Sequence, residues 1–198
     1  MAVFNALNKH TIQVAKQSAI PYFVSTEENQ IGDSFGYKFI NEISKIFARG
    51  YDNIITIGND SPHLNATHIK EAHQKLKQTP LVLGPSTDGG FYLMGLRKSH
   101  FNVDSFLRLP WQTASLSASI IRLLTTKKIE VALLESLNDL DSEKDIKVLL
   151  DDSKYLSKEL LLVLRSALVT SKNIQIKQPL FLDPFRYRTY FNKAYLVH

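Results

Sequence analysis

A chain of 198 residues, 44% apolar and 22% charged, has ordinary globular proportions and can bury a core without covalent staples. It holds no cysteine, which excludes disulfides, thiolate metal ligands and thiol nucleophiles. The net charge of +5 sits mostly in the tail: residues 151–198 hold eight of the 24 Lys+Arg and four of the 19 Asp+Glu, or +4.

In chain order, Phe4, Leu7, Ile12 and Ala15 fall on one face of a predicted helix over residues 4–19, which Pro21 ends. Residues 21–26 read as a short strand, followed by a polar loop over 27–34. Phe39, Ile43, Ile46 and Phe47 mark a second helix over 35–49, stopped by Gly50. The apolar run Ile54, Ile55, Ile57 predicts a strand covered on both faces. A helix capped by Asn65 or Thr67 follows, then strands at 80–84 and 91–96 joined by a tight turn. Beyond them the pattern predicts a helix over 115–126, a strand over 129–134, and a helix from the Ser142 cap to Asp151. A last helix covers 155–169, and residues 172–198 are basic and aromatic without a clear period. Strands alternating with helices over 20–150 predict a doubly wound α/β sheet with its ligand crevice outside the carboxyl ends of the strands.

Four segments carry candidate chemistry. In Gly58-Asn59-Asp60-Ser61-Pro62 the glycine permits a sharp exit from the strand, and Asp60 can hold a hard divalent cation or simply cap a turn. Asp88-Gly89-Gly90 leaves another strand; it is either a plain turn or a place where backbone N–H groups approach a phosphate or sugar. Asp139 and Asp141 open a helix and offer a second metal ligand, although Ser142 and Glu143 already account for a capped helix start. Trp111, the only tryptophan, either lines a pocket by stacking or anchors packing.

Taken together, GNDSPHL, LVLGPSTDGGFYLMGL, LPWQT and LNDLDSEKD resemble an uncharacterised bacterial transferase family labelled radical-SAM/selenodomain-associated or glycosyltransferase-A-like. That family is related at a distance to phospholactate guanylyltransferase and to molybdenum-cofactor nucleotidyltransferases. The resemblance covers about residues 30–150. It implies a GT-A-like three-layer α/β/α sandwich with a mostly parallel sheet, a nucleotide or sugar-nucleotide substrate, an unassigned acceptor, and Mg²⁺ or Mn²⁺. It carries the catalytic roles to Asp60 and Asp88, the metal to Asp60 and Asp141, and substrate contacts to Asn59, Ser61, Gly89, Gly90 and Trp111.

The sequence departs from this pattern at its start, where a helix stands in place of the usual first strand and its basic, glycine-rich loop. Such a loss would leave unpaired backbone groups inside the sheet, so either the reading frame is truncated or another segment, such as the tail, fills the gap. Residues 1–150 are read as the transferase domain and 151–198 as an extension packed on it. A non-catalytic binding or scaffold protein on the same fold is the competing expectation. Arg186, Tyr187, Arg188, Tyr190 and Lys193 would suit single-stranded nucleic acid, but Leu180, Phe181 and Phe185 favour docking on the core or a homodimer contact. With no bilayer-length apolar run and no signal-peptide pattern in MAVFNALNKH, no membrane partner and a cytoplasmic location are expected.

Overall fold

The computed structural model describes residues 2–26, 29–140, 142–151, 156–173 and 195–197. Helix α1 (Ala2–Ser18) leads to β1 (Tyr22–Val24), α2 (Phe35–Ala48), β2 (Asn53–Ile57), α3 (Ala66–Leu76), β3 (Leu81–Pro85) and β4 (Phe91–Arg97). Then come α4 (Val103–Leu107), α5 (Leu116–Thr126), β5 (Val131–Leu133), α6 (Glu143–Asp151), α7 (Lys158–Asn173) and β6 (Tyr195–Val197). The six strands form one sheet in the order β1-β6-β2-β4-β3-β5.

Period-two alternation sends neighbouring strand residues to opposite faces. Ile54, Leu81, Leu83, Met94 and Leu96 pack on one face with Phe39, Ile43 and Phe47 of α2 and Ile120 of α5. Ile55, Ile57, Val82 and Tyr92 pack on the other face with Val14 of α1 and Ile69, Ala72 and Leu76 of α3. This is the expected three-layer α/β/α arrangement. The far side of α1, through Ala6 and Leu7, forms a third cluster with Leu149 of α6 and Leu160 and Leu164 of α7. No helix among the described residues is long and apolar enough to cross a membrane.

Strands β1, β2, β3 and β5 share one direction, but β4 and β6 run against them, so among the described residues β3–β5 is the one parallel pair of neighbouring strands. For β4 the cause is local: a tight turn joins it to β3, and a hairpin partner must be antiparallel. Strand β6 supplies the gap-filling segment, lying between β1 and β2 and antiparallel to both. A tail segment in the gap was one of the two expectations, but no strand was expected at these residues, and the short α4 was not anticipated. The rest of the expected tail docking, including Arg186 to Lys193, lies outside the described residues.

At the amino-terminal edge of the sheet, cations from the end of β4 cap two helices. Arg97 donates from Nε and Nη2 to the Leu76 carbonyl at 2.9 and 2.6 Å, and Lys98 Nζ donates to the Phe47 carbonyl at 3.0 Å. Both carbonyls belong to last helical turns, where cations also meet the negative end of the dipole. Arg97→Met should lower unfolding free energy by about 1–2 kcal/mol, because it strips two charge-assisted bonds but keeps the aliphatic stem. Urea denaturation measures this, and an unchanged midpoint would show the cap to be idle.

Candidate functional site

The carboxyl ends of β2, β3 and β5 meet at one edge, and the loops leaving them are tied together. After β5, residues 134–140 run across this edge as a strap. Leu134 N–H donates to Leu83 O (2.9 Å), Leu137 N–H to Pro85 O (3.1 Å) and Leu140 N–H to Asp60 O (2.8 Å). Thr87 answers through its N–H to Leu137 O (3.0 Å) and its hydroxyl to Asn138 Oδ1 (3.0 Å). The Ser61 hydroxyl donates to Asp139 Oδ1. The Asp60 and Asp88 turns are thus fastened to the same strap at the same edge.

Gly58 starts the first turn, donating its N–H to Tyr92 O at 2.9 Å. The half-buried Asp60 folds its carboxylate back over this glycine, so a Cβ there would stand 2.7 Å from Asp60 Oδ1. Asn59 and Ser61, expected as substrate contacts, are buried instead, at 1% and 3% exposure. Asn59 Nδ2 donates to Asn8 Oδ1 of α1 at 2.5 Å, and Ser61 is spent on Asp139, so both hold the loop. The reason is their neighbourhood: the turn lies under α1 and the strap, a circumstance local sequence does not encode.

Asp88-Gly89-Gly90 is the hairpin turn between β3 and β4. Exposed Asp88 accepts the Gly90 N–H at 2.8 Å, Gly89 N–H donates to Ser86 O, and Ser86 N–H donates to Gly90 O. The glycine N–H groups expected to approach a phosphate are therefore used by the turn itself. The start of α5 presses on the turn, with Ser117 N–H to Gly89 O (3.0 Å) and the Ser117 hydroxyl to Gly90 O. Trp111, expected to contact substrate, packs its ring among Phe35, Phe39 and Phe91, and its N–H donates to Phe106 O at 2.8 Å. It anchors α2 and α4 against the sheet. Asp141 lies outside the described residues.

A second polar group at this edge escaped the sequence reading. Asn65 caps α3, and its N–H donates to Nδ1 of buried His68 at 3.1 Å. That bond makes Nδ1 an acceptor, which leaves Nε2–H to donate to Glu135 Oε1 at 2.6 Å. The Tyr92 hydroxyl, passing over Gly84, donates to the Glu135 carbonyl at 3.0 Å. Burial pushes the Tyr92 phenol well above its usual range, and the charges of Glu135 and Glu71 add to this. Asn65 was a readable cap, but His68 at the reciprocal position was not, since a capping box is marked there by Glu or Gln. The link from His68 to Glu135 was not readable, since 67 residues intervene.

On α1, His10 is buried beneath the Pro62–Leu64 carbonyls, and its Nε2 lacks a hydrogen-bond partner among the described residues. Burial pulls its pKa below 6.5; the Leu64 and Pro62 carbonyls offset part of this, and the nearby His63 adds to it. The unfolded chain therefore binds this proton more tightly than the folded one. Stability from His10 is full above pH 6.5, falls as pH drops below it, and levels off below the folded-state value. His10→Leu should flatten that part of a melting-temperature profile between pH 5 and 7.5; an unaltered slope would assign it to other groups.

No group of three or more His, Cys, Asp or Glu side chains arranged to hold a metal occurs among the described residues. What the edge does offer is Asp60 next to a strap that carries Asp139. Mg²⁺ keeps several waters and binds through one or two carboxylates plus substrate phosphates, so this oxygen-only donor set fits a cation that a phosphate ligand completes.

A family model described as "Uncharacterized protein conserved in bacteria (DUF2064)" matches residues 5–113, more than half of the chain. That span reaches from α1 past Trp111 and includes both acidic turns. A crystal structure of a protein from Desulfovibrio desulfuricans G20, provisionally named a nucleotide-diphospho-sugar transferase, matches with a TM-score of 0.73. The match is 24% identical in sequence and covers 85% of this chain and 84% of that one. At this identity the likeness establishes the fold. No curated protein matches the chain.

Proposed function

The chain belongs to the DUF2064 family, and from that footing we propose that it is a metal-dependent nucleotidyl- or glycosyltransferase acting on a nucleotide or sugar nucleotide. The observation that carries this reading is the fastening of the Asp60 and Asp88 turns to one strap at the carboxyl edge of the sheet, where open α/β sheets place their ligands. Asp60, helped by Asp141, would hold Mg²⁺ or Mn²⁺. Such a cation, when bound, neutralises charge on the diphosphate as the bond to the leaving group breaks. Asp88 would accept hydrogen bonds from sugar or acceptor hydroxyls or take a proton from one; its exposure and the Gly90 N–H bond that fixes it support this role. The kinship with radical-SAM/selenodomain-associated transferases and a cytoplasmic location belong to the same proposal.

A second reading, a non-catalytic binding protein on this fold, draws on the inward use of Asn59, Ser61 and the glycine N–H groups. A thermal-shift panel of nucleotides and sugar nucleotides, with and without Mn²⁺, separates the two. At about 100 times its dissociation constant a ligand adds roughly 2.7 kcal/mol, or about 5–10 °C for a domain of this size. A metal-dependent shift is the expected result. A flat response from a protein that melts cooperatively would sink the transferase reading.

A further inference from the structure

Strand β6 pairs along the end of β2 that leads into the candidate site. Along β2, strand β4 pairs with all five residues, Asn53 to Ile57, whereas β6 pairs with the carboxyl-terminal three: Ile55 with Val197, Thr56 with Leu196 and Ile57 with Tyr195. The next residues after Ile57 are Gly58, Asn59 and Asp60. On the β4 side this exit is held by the Gly58 N–H to Tyr92 O, and the strap holds Asp60 O. On the opposite side the hold is β6, which is also the strand that joins β1 to the sheet, through Tyr22–Val197, Phe23–Leu196 and Val24–Tyr195. Within the turn, the side chains of Asn59 and Ser61 bond to Asn8 and Asp139, and Asn59 Oδ1 is buried without a hydrogen-bond partner among the described residues.

A three-residue strand has few ladder bonds to set against the entropy of ordering it. Elements held by so few ladder bonds open at lower free energy than a long strand. The core of this sheet does not depend on β6, because β2, β4, β3 and β5 pair with one another without it.

We infer that β6 is a docking strand whose seating orders the exit of β2, so that the C-terminal strand positions Asp60 through the β2 backbone. Seated, it and β4 hold Ile57 from both sides; unseated, it frees β1 and lets the Gly58–Ser61 turn move while the remaining sheet stays closed. By linkage, whatever binds at the Asp60 turn in its ordered form also favours the seated strand. The inference stands on strand pairing and holds or fails apart from the transferase proposal.

Amide hydrogen exchange on the full chain tests it without any ligand. Leu196→Pro removes a ladder donor from the middle of β6, and Leu196→Val preserves it. In Leu196→Pro, amides within 22–24 and 55–61 should exchange at least about tenfold faster, with β3, β4 and α5 still protected and melting still cooperative. Leu196→Val should behave as the wild type, and a chain ending at Ala194 should reproduce the proline variant. Unchanged exchange over 55–61 would overturn the inference. Lost protection across the whole sheet, or lost cooperative melting, would overturn it equally, since β6 would then be a general structural strand.

Discussion

Replacing Gly89 with alanine should destabilise the protein by about 2–5 kcal/mol, the largest loss expected from adding a single methyl group to this chain. Two costs combine. The first is conformational: Gly89 has φ +93°, a left-handed backbone that L-residues adopt at a cost of about 1–2 kcal/mol. The second is steric: a Cβ would run into the carbonyl of Ala114, a backbone group that cannot rotate aside as a side-chain tip can. Ser117 holds that backbone in place through its bonds to Gly89 O and Gly90 O. Forcing it back adds about 1–3 kcal/mol of overpacking. Gly50 provides the control, with φ +96° but nothing within 4 Å of the added methyl. Gly50→Ala should therefore show the conformational cost alone, and the difference in urea midpoints isolates the contact. Equal losses in the two variants would mean that the start of α5 does not press on this turn.

Asp60→Ala should abolish the metal-dependent thermal shift, a loss of roughly 5–10 °C at saturating ligand, while the unliganded protein still melts cooperatively. The Leu140 N–H bond to the Asp60 carbonyl survives in alanine, so the strap stays attached and the variant removes the carboxylate alone. Gly58→Ala makes the same point by displacement. Gly58 has no left-handed φ, so alanine is conformationally acceptable there. Its methyl would fall 2.7 Å from Asp60 Oδ1 and turn the carboxylate away. Metal-dependent affinity should drop at least about tenfold, a change of roughly 1.4 kcal/mol, with little change in the unliganded melt. If both variants keep the wild-type shift, Asp60 does not hold the cation. If the shift persists in Gly58→Ala alone, the carboxylate can reach the cation from its displaced position.

Features that depend on neighbours along the chain were legible in the order of residues. Apolar spacing marked the core faces of α2 and β2 because side-chain direction repeats with the backbone period. The Asn65 cap, the Ser142 cap with its Asp145 reciprocal bond and the Asp88-Gly89-Gly90 turn were legible because each closes over two or three residues. The shared edge of the Asp60 and Asp88 turns followed from alternating strands and helices. Pairings across long separations emerged only once the chain was folded. Folding set β6 between β1 and β2, joined His68 to Glu135, spent Ser61 on Asp139 across 78 residues, and drew Trp111 into the aromatic core. The physical reason is that a strand's periodicity records that one of its faces is buried but not which strand lies beside it. A polar side chain is likewise free or consumed according to what the fold brings against it, as Asn59 beneath α1 shows.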